Sequence, residues 1–268
     1  MKNKIIDIDA LARYLNKSQF TTTDDEIAMY LFEHRDEIKE KTLKEFVVNS
    51  YISQPSFTRF FKKNGVEKYQ DFRYGMIEYN VKLDQHIKYL RSLDYGSNLD
   101  EMKQIIIDKQ IQTLEMLKKL DNSRLEGLVE EISNYRRVIF IGSELSMSLL
   151  RVIQRSMIYY GVNCYTLADP IGQEYMVENS NKDDLIICVS MKGRWFNHVD
   201  SESTIDKLFH SKCFKMLWTI DRHHQNKEKF NSVYYFGESM NEFDYTQLEN
   251  FAFLFNQLYI QYNNKNGL

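Results

Sequence analysis

The richest potential chemistry lies in Ser53-Gln54-Pro55-Ser56-Phe57-Thr58-Arg59-Phe60-Phe61-Lys62-Lys63-Asn64. On a helix, Phe57, Phe60 and Phe61 fall on one face and leave Gln54, Thr58, Arg59, Lys62 and Lys63 outward. Glutamine pairs doubly with adenine and arginine with guanine, so Gln54 and Arg59 carry the chemistry for reading base edges. Ser53, Ser56, Thr58, Lys62 and Lys63 suit phosphate oxygens, contacts that set register rather than sequence preference. From 59 to 73 there are five basic residues (Arg59, Lys62, Lys63, Lys68, Arg73) against two acidic ones (Glu67, Asp71). The solvated face of any packed helix has the same pattern, so spacing alone leaves both readings open.

Two other sets of reactive residues point to no chemistry. Adjacent His223 and His224 diverge in direction and have no carboxylate-rich surroundings, so a surface loop and no metal site are expected. Cys164, Cys188 and Cys213 are scattered through apolar stretches. An odd, separated set argues against a disulfide framework and reads as buried small hydrophobes.

The elements that position these residues change character along the chain. Thr23-Asp24-Asp25-Glu26 and Thr42-Leu43-Lys44-Glu45 match capping boxes, each followed by an apolar stripe at helical spacing. Asp36 to Glu40 reads as a short helix between them. Ser53 can cap the next helix, Pro55 fits its first turn, and Gly65 ends it. Helical spacing resumes from Tyr69 and Phe72 to about residue 94, and Tyr95-Gly96-Ser97-Asn98 is the linker candidate. Met102, Ile106, Ile107, Ile111, Leu114 and Leu117 mark a long amphipathic helix from Asp100 to Leu120. Ser123 with Glu126 offers a third capping box. Beyond 136, short apolar runs at 137–141, 162–167, 185–190, 215–220 and 233–236 alternate with helical stretches, including 145–160 and one opened by Asp169-Pro170. That alternation predicts a five-stranded parallel sheet flanked by helices, with ligands taken at the carboxyl ends of the strands.

The 268 residues exceed the usual single domain, which fits an all-α N-terminal domain followed by an α/β C-terminal domain. The expected division is 1–76, a helical linker at 77–99, and 100–268. Two prolines and ten glycines leave no room for long disordered linkers. The net charge of −3 provides no global attraction to nucleic acid, so any such binding must come from a local patch. No apolar run nears the ~20 residues that cross a bilayer. Asp7 and Asp9 fall where a signal peptide needs an apolar core, so a cytoplasmic location without membrane partners is expected.

The segment Phe46 to Arg73 resembles the N-terminal helix-turn-helix domain of RpiR-type bacterial regulators. Ser53, Arg59, Phe60, Lys63, Gly65, Gln70 and Phe72 match that pattern without a gap. Tyr51 stands where the family has a turn glycine, implying a strained or altered turn. Asn64 replaces an apolar residue, which is expected to loosen the local core. The resemblance implies a C-terminal SIS (sugar isomerase) domain. Its Gly-x-Gly-x-Ser and Ser-x-Ser-Gly-x-Thr loops hold a sugar phosphate through amides and hydroxyls. Here the loops read Phe140-Ile141-Gly142-Ser143-Glu144 and Ser190-Met191-Lys192-Gly193-Arg194-Trp195, so only part of the pattern remains. The ligand residues it implies are Ser143, Glu144, Ser190, Lys192 and Gly193. Three outcomes stand open: Lys192 pairs with Glu144 and fills the site, Lys192 and Arg194 recruit an anion in another pose, or sugar phosphate still binds. Trp195 reads as a lid or interface residue, or as a ligand platform.

The expectation is a DNA-binding regulator of carbohydrate-metabolism genes with no catalytic residues and no cofactor. Its partners are a double-stranded DNA operator, a phosphosugar or other small anion, and a second copy in a homodimer or homotetramer. The alternatives are a sugar-phosphate isomerase, or a regulator whose second domain only dimerises. The Asp100–Leu120 helix and the aromatic segment Phe251 to Tyr259 would then supply the dimer surface.

Overall fold

Thr22 and Thr42 start helices by the same device. The computed structural model describes residues 7–92, 98–197, 201–239 and 244–267 and divides into two compact units, Met1–Asp94 and Tyr95–Leu268. In the first unit, α1 (Ile8–Lys17) precedes α2 (Thr23–Glu33), α3 (Leu43–Ser50) and α4 (Gln54–Lys63). Thr42 and Glu45 form the expected capping box at α3. At α2 the box is one residue earlier than expected: Thr22 accepts from the Asp25 amide while Asp25 accepts from Thr22 at 2.9 Å. The short helix expected at Asp36–Glu40 is a single 3₁₀ turn, Arg35–Glu37.

These helices close over one core. Leu11, Ile27, Leu31, Phe46, Phe57, Phe60, Phe61 and Phe72 pack together there. Gly65 (φ 80°) ends α4 in a Schellman arrangement, its amide bonded to Lys62 and that of buried Val66 to Phe61. Asn64, where the sequence departs from an apolar residue, is the C-cap of α4, its side-chain amide donating to the Phe60 carbonyl at 2.8 Å. α5 (Tyr69–Ser92) runs unbroken past residue 76, where the sequence reading ends the first domain. Tyr79 donates to Asp9 at 3.1 Å, so the helix beyond that point still packs against α1. Of the expected linker, Tyr95 to Ser97 lie outside the described residues, and Asn98 caps the next helix.

In the second unit, α6 (Leu99–Glu115) and a 3₁₀ turn (Met116–Lys119) lead to α7 (Asn122–Ser133). Asp121, not Ser123, caps α7, accepting from the Arg124 amide at 3.1 Å and the Ser123 hydroxyl at 2.7 Å. The sheet contains β1 (Arg137–Gly142), β2 (Asn163–Thr166), β3 (Asp184–Val189), β4 (Phe214–Thr219) and β5 (Ser232–Tyr235), all parallel in the order 2-1-3-4-5. The helices between them are α8 (Glu144–Leu149), α9 (Arg151–Tyr159), α10 (Pro170–Glu178) and α11 (Glu202–His210), and α12 (Asp244–Lys265) closes the chain. The single helix expected at 145–160 breaks at buried Leu150 into α8 and α9.

Period-2 alternation sorts the strand side chains between two cores. Val138, Phe140, Leu185, Ile187, Met216 and Trp218 join one with residues of α7, α8, α9 and α12. Ile139, Ile141, Ile186, Cys188 and Leu217 join the other with Val177 of α10 and Leu208 of α11. Both faces of the sheet are therefore covered, which is why its strands read as continuous apolar runs. Phe251, Phe255 and Tyr259 fill the first core beside Trp218, so these aromatics are not a dimer surface; exposed Phe253 points elsewhere. The three cysteines are buried and unpaired by disulfides.

Candidate nucleic-acid interface and sensor site

The α4 surface is set by its buried side. Phe60 meets Tyr14 edge-on at 5.7 Å, and Phe61 packs on Phe72 at 5.3 Å, which fixes the helix in rotation. Gln54, Thr58, Arg59, Lys62 and Lys63 are exposed as that rotation requires. Ser53 caps the helix by accepting from the Ser56 amide at 3.3 Å, and the two hydroxyls lie 2.9 Å apart. Thr58 donates to the Gln54 carbonyl at 3.1 Å, so its hydroxyl must leave that bond before it can donate to a phosphate. Lys63 pairs with Asp24 at 2.5 Å, a tie that competes with any phosphate. Arg59 and Lys62 make no ion pair or hydrogen bond among the described residues. The first turn of α4 contains no acid, so its positive end faces outward uncompensated. The turn before it is left-handed at Tyr51 (φ 59°, ψ 12°), and half-buried Ile52 packs against the core beneath.

The second candidate site forms where the sheet changes direction. β2 lies on one side of β1 and β3 on the other, which opens a crevice at their carboxyl ends. Gly142 and Val189 are paired in register, so Ser143 and Ser190 leave neighbouring strands side by side. Gly142 (φ 153°) admits no side chain: an added Cβ would lie 2.5 Å from the Val189 carbonyl oxygen. Buried Gln173 of α10 clamps this residue, accepting from the Gly142 amide at 3.2 Å and donating to its carbonyl at 2.9 Å. The same amide group also donates to the Leu167 carbonyl at 2.7 Å. Ser143 caps α8, and Glu144 is exposed at the first position of that helix, its carboxylate solvated rather than enclosed.

The Ser190 loop is backed by a residue that the sequence reading misplaces. His223 is exposed, but His224 is buried rather than on a surface loop. Its ring meets Phe196 edge-on at 5.0 Å, and its Nε2 lies 3.4 Å from the Ser190 hydroxyl. The Asn226 amide donates to Nδ1 at 3.2 Å, so in the neutral ring Nε2 carries the proton and donates toward Ser190. A histidine in that tautomer cannot take the serine proton, so the pair is not an activated nucleophile. Burial holds the imidazole below the usual histidine range, opposed by Asp221. Gly193 (φ 76°) turns the loop over this ring; a Cβ there would lie 3.6 Å from Nε2. Lys192 is half-buried, and Trp195 is half-buried against the second core, edge-on to Phe196 at 5.3 Å. No cluster of three or more histidine, cysteine or carboxylate side chains able to hold a metal occurs among the described residues.

Gln173 and His224 are the residues that sequence reasoning missed. His224 gives no signal beyond its neighbour, and Gln173 looks like an ordinary helix residue three positions after a proline. Both act through partners about thirty residues away, Gly142 and Ser190.

Comparison with known proteins agrees with this two-unit architecture. No family model matches the chain. It is 25% identical over 179 residues to an HTH-type transcriptional regulator of Clostridium perfringens, an alignment spanning 66% of this chain and 64% of that relative. Its fold is similar to the NanR protein of Vibrio vulnificus, solved in complex with ManNAc-6P, with a TM-score of 0.50 and 15% identity over 97% of this chain and 92% of that one. It is also similar to the sugar isomerase domain of an RpiR transcription factor from Sphaerobacter thermophilus, with a TM-score of 0.51 and 14% identity over 62% and 93% of the two chains. The resemblance to RpiR-type regulators thus extends from the sequence to the fold: a helix-turn-helix unit followed by a SIS-like unit.

Proposed function

We propose that a chain with this architecture is a DNA-binding transcriptional regulator whose SIS-like unit senses a phosphosugar or another small anion. One observation carries the reading: α4 turns Gln54, Arg59 and Lys62 to solvent while three buried phenylalanines fix it from behind. The roles are Gln54 and Arg59 on base edges and Ser53, Ser56, Thr58, Lys62 and Lys63 on phosphates. In the second unit, Ser143, Ser190, Lys192 and Gly193 form the effector site, with Glu144 biasing it against the most highly charged ligands. A single recognition helix offers few contacts, so two copies read a palindromic operator. The apolar face of α6, with Met102, Ile106, Ile107 and Ile111 exposed, supports pairing between second units.

Fluorescence anisotropy on duplexes from a random-oligonucleotide selection tests the reading. Binding should weaken steeply with salt, and Arg59→Ala should lose about 1–3 kcal/mol of discrimination at one base position. A protein that ignores every duplex at low salt would sink it. The ManNAc-6P held by the NanR protein is the first effector probe, followed by other hexose and pentose phosphates.

A second reading, a sugar-phosphate isomerase, is favoured by Glu144, an exposed carboxylate beside the crevice that can serve as a base. The tautomer of His224 leaves it without a matching proton acceptor at Ser190. Turnover of hexose or pentose phosphates by the purified chain would favour this reading over the regulator.

A further inference from the structure

We propose that the second unit carries a further binding site, a cavity at the β5 edge of the sheet that takes a compact oxyanion such as inorganic phosphate or a small carboxylate. The cavity measures about 130 Å³ and lies between the turn after α6, the start of α7 and the end of β5. β4 separates β5 from β3, so this is not the crevice beside Ser143 and Ser190. Its volume matches roughly four waters, well below the roughly 300 Å³ at which pockets for larger ligands begin, which suits a compact anion and not a sugar phosphate. Tyr234 points to a ligand. It lines the cavity, is 6% exposed, and stacks its ring on Phe251 at 5.4 Å, yet its hydroxyl has no hydrogen-bond partner among the described residues. Buried polar groups are nearly always paired, so this phenol calls for an acceptor from outside the chain. The surrounding charge gives the sign of that acceptor. Lys119, Arg124 and Arg222 line the cavity against Asp121 and Glu238, three cations to two carboxylates. Asp121 is engaged by the Ser123 hydroxyl and the Arg124 amide, and Glu238 lies 3.9 Å from Lys119. Neither arginine makes an ion pair among the described residues. Both are nevertheless held: Arg222 lies over the Tyr235 ring at 5.1 Å, and Arg124 donates through Nη2 to the Val233 carbonyl at 3.4 Å. A water could satisfy the phenol alone, but only an anion answers the phenol and both guanidiniums together.

The test uses the full-length chain and needs no DNA, so it stands apart from the regulator reading. Inorganic phosphate is titrated with the parent, Arg222→Gln and Tyr234→Phe, its phosphorus NMR line followed in chloride at constant ionic strength, and acetate is added as competitor. The parent should bind phosphate with a dissociation constant of about 1 mM, and each variant about tenfold more weakly. Displacement by acetate at comparable concentration would mark a carboxylate as the natural occupant and its failure a phosphate, and either supports the site. Tyr234→Phe loses only the hydroxyl, so without anion it should melt no lower than the parent. A lower melt would show that the phenol has a partner within the chain and would overturn the inference. Phosphate bound equally by all three proteins is held elsewhere and overturns it too. So does weakening in Arg222→Gln with Tyr234→Phe unchanged, which is diffuse attraction to surface charge rather than a built site. Failure of both phosphate and acetate to bind the parent overturns it outright.

Discussion

His224 is a residue whose protonation is tied to the fold. Burial against Phe196 and Ser190 disfavours the imidazolium, so the folded pKa lies below the unfolded value of about 6.5. Between those two pKa values the unfolded chain binds the extra proton, so stability rises with pH there. The contribution is complete above the unfolded pKa and is lost as pH falls toward the folded one. Urea midpoints should therefore drop as pH falls below the unfolded value of about 6.5, and His224→Gln should flatten that part of the curve. An unaltered pH profile in the variant would show that other groups cause the drop. Gly142 makes a second test at this scale. Gly142→Ala drives a methyl group to 2.5 Å from the Val189 carbonyl oxygen, and backbone cannot yield as a flexible side chain would. The expected loss is about 1–3 kcal/mol in denaturant unfolding, and a parent-like midpoint would contradict the close approach.

At the scale of elements, α4 depends on both its anchors and its ends. Phe60 is fully buried among Tyr14 and Phe61, so Phe60→Ala should cost about 3–5 kcal/mol, and DNA binding should fail together with the fold of the first unit. Circular dichroism melts would measure the loss; a change under about 1 kcal/mol would mean that the helix is held otherwise. The ends explain why the helix has its length. Ser53 closes the first turn and the Gly65 Schellman arrangement the last, both local signals that need no distant partner. The capping box at α2 shows the limit of such signals. Thr22, Thr23, Asp25 and Glu26 offer two overlapping boxes, and the register is chosen by Asp25, which also accepts from the Thr21 amide at 3.0 Å.

At the scale of the molecule, the proposed regulator couples the exposed face of α4 to the crevice beside β1 and β3, which requires that occupying the crevice alters the folded ensemble. A phosphosugar that binds only the folded form should raise the melting temperature, by about 2.7 kcal/mol of stability at a hundredfold excess over its dissociation constant. Thermal-shift titration across hexose and pentose phosphates checks this. A flat response to all of them would leave the second unit as a pairing platform, for which the exposed stripe of α6 is the surface to mutate.

Local pattern by itself determined the order of helices and strands, the parallel sheet and the outward face of α4. Each of these follows from periodicity, and periodicity is a property of neighbouring residues. Tertiary structure alone decided where polar residues meet. Gln173 clamps Gly142 and His224 backs Ser190 because the β1–β3 register and the loop after β4 bring them together. A hydrophobic pattern tells a side chain which face to take but not which distant polar group will share its pocket. The same reason separates His224 from His223: adjacent in the chain, one is buried and the other exposed. Tyr51 belongs to both levels, since its type was legible as a departure from glycine while its left-handed backbone and its exposure were settled only when α3 and α4 packed.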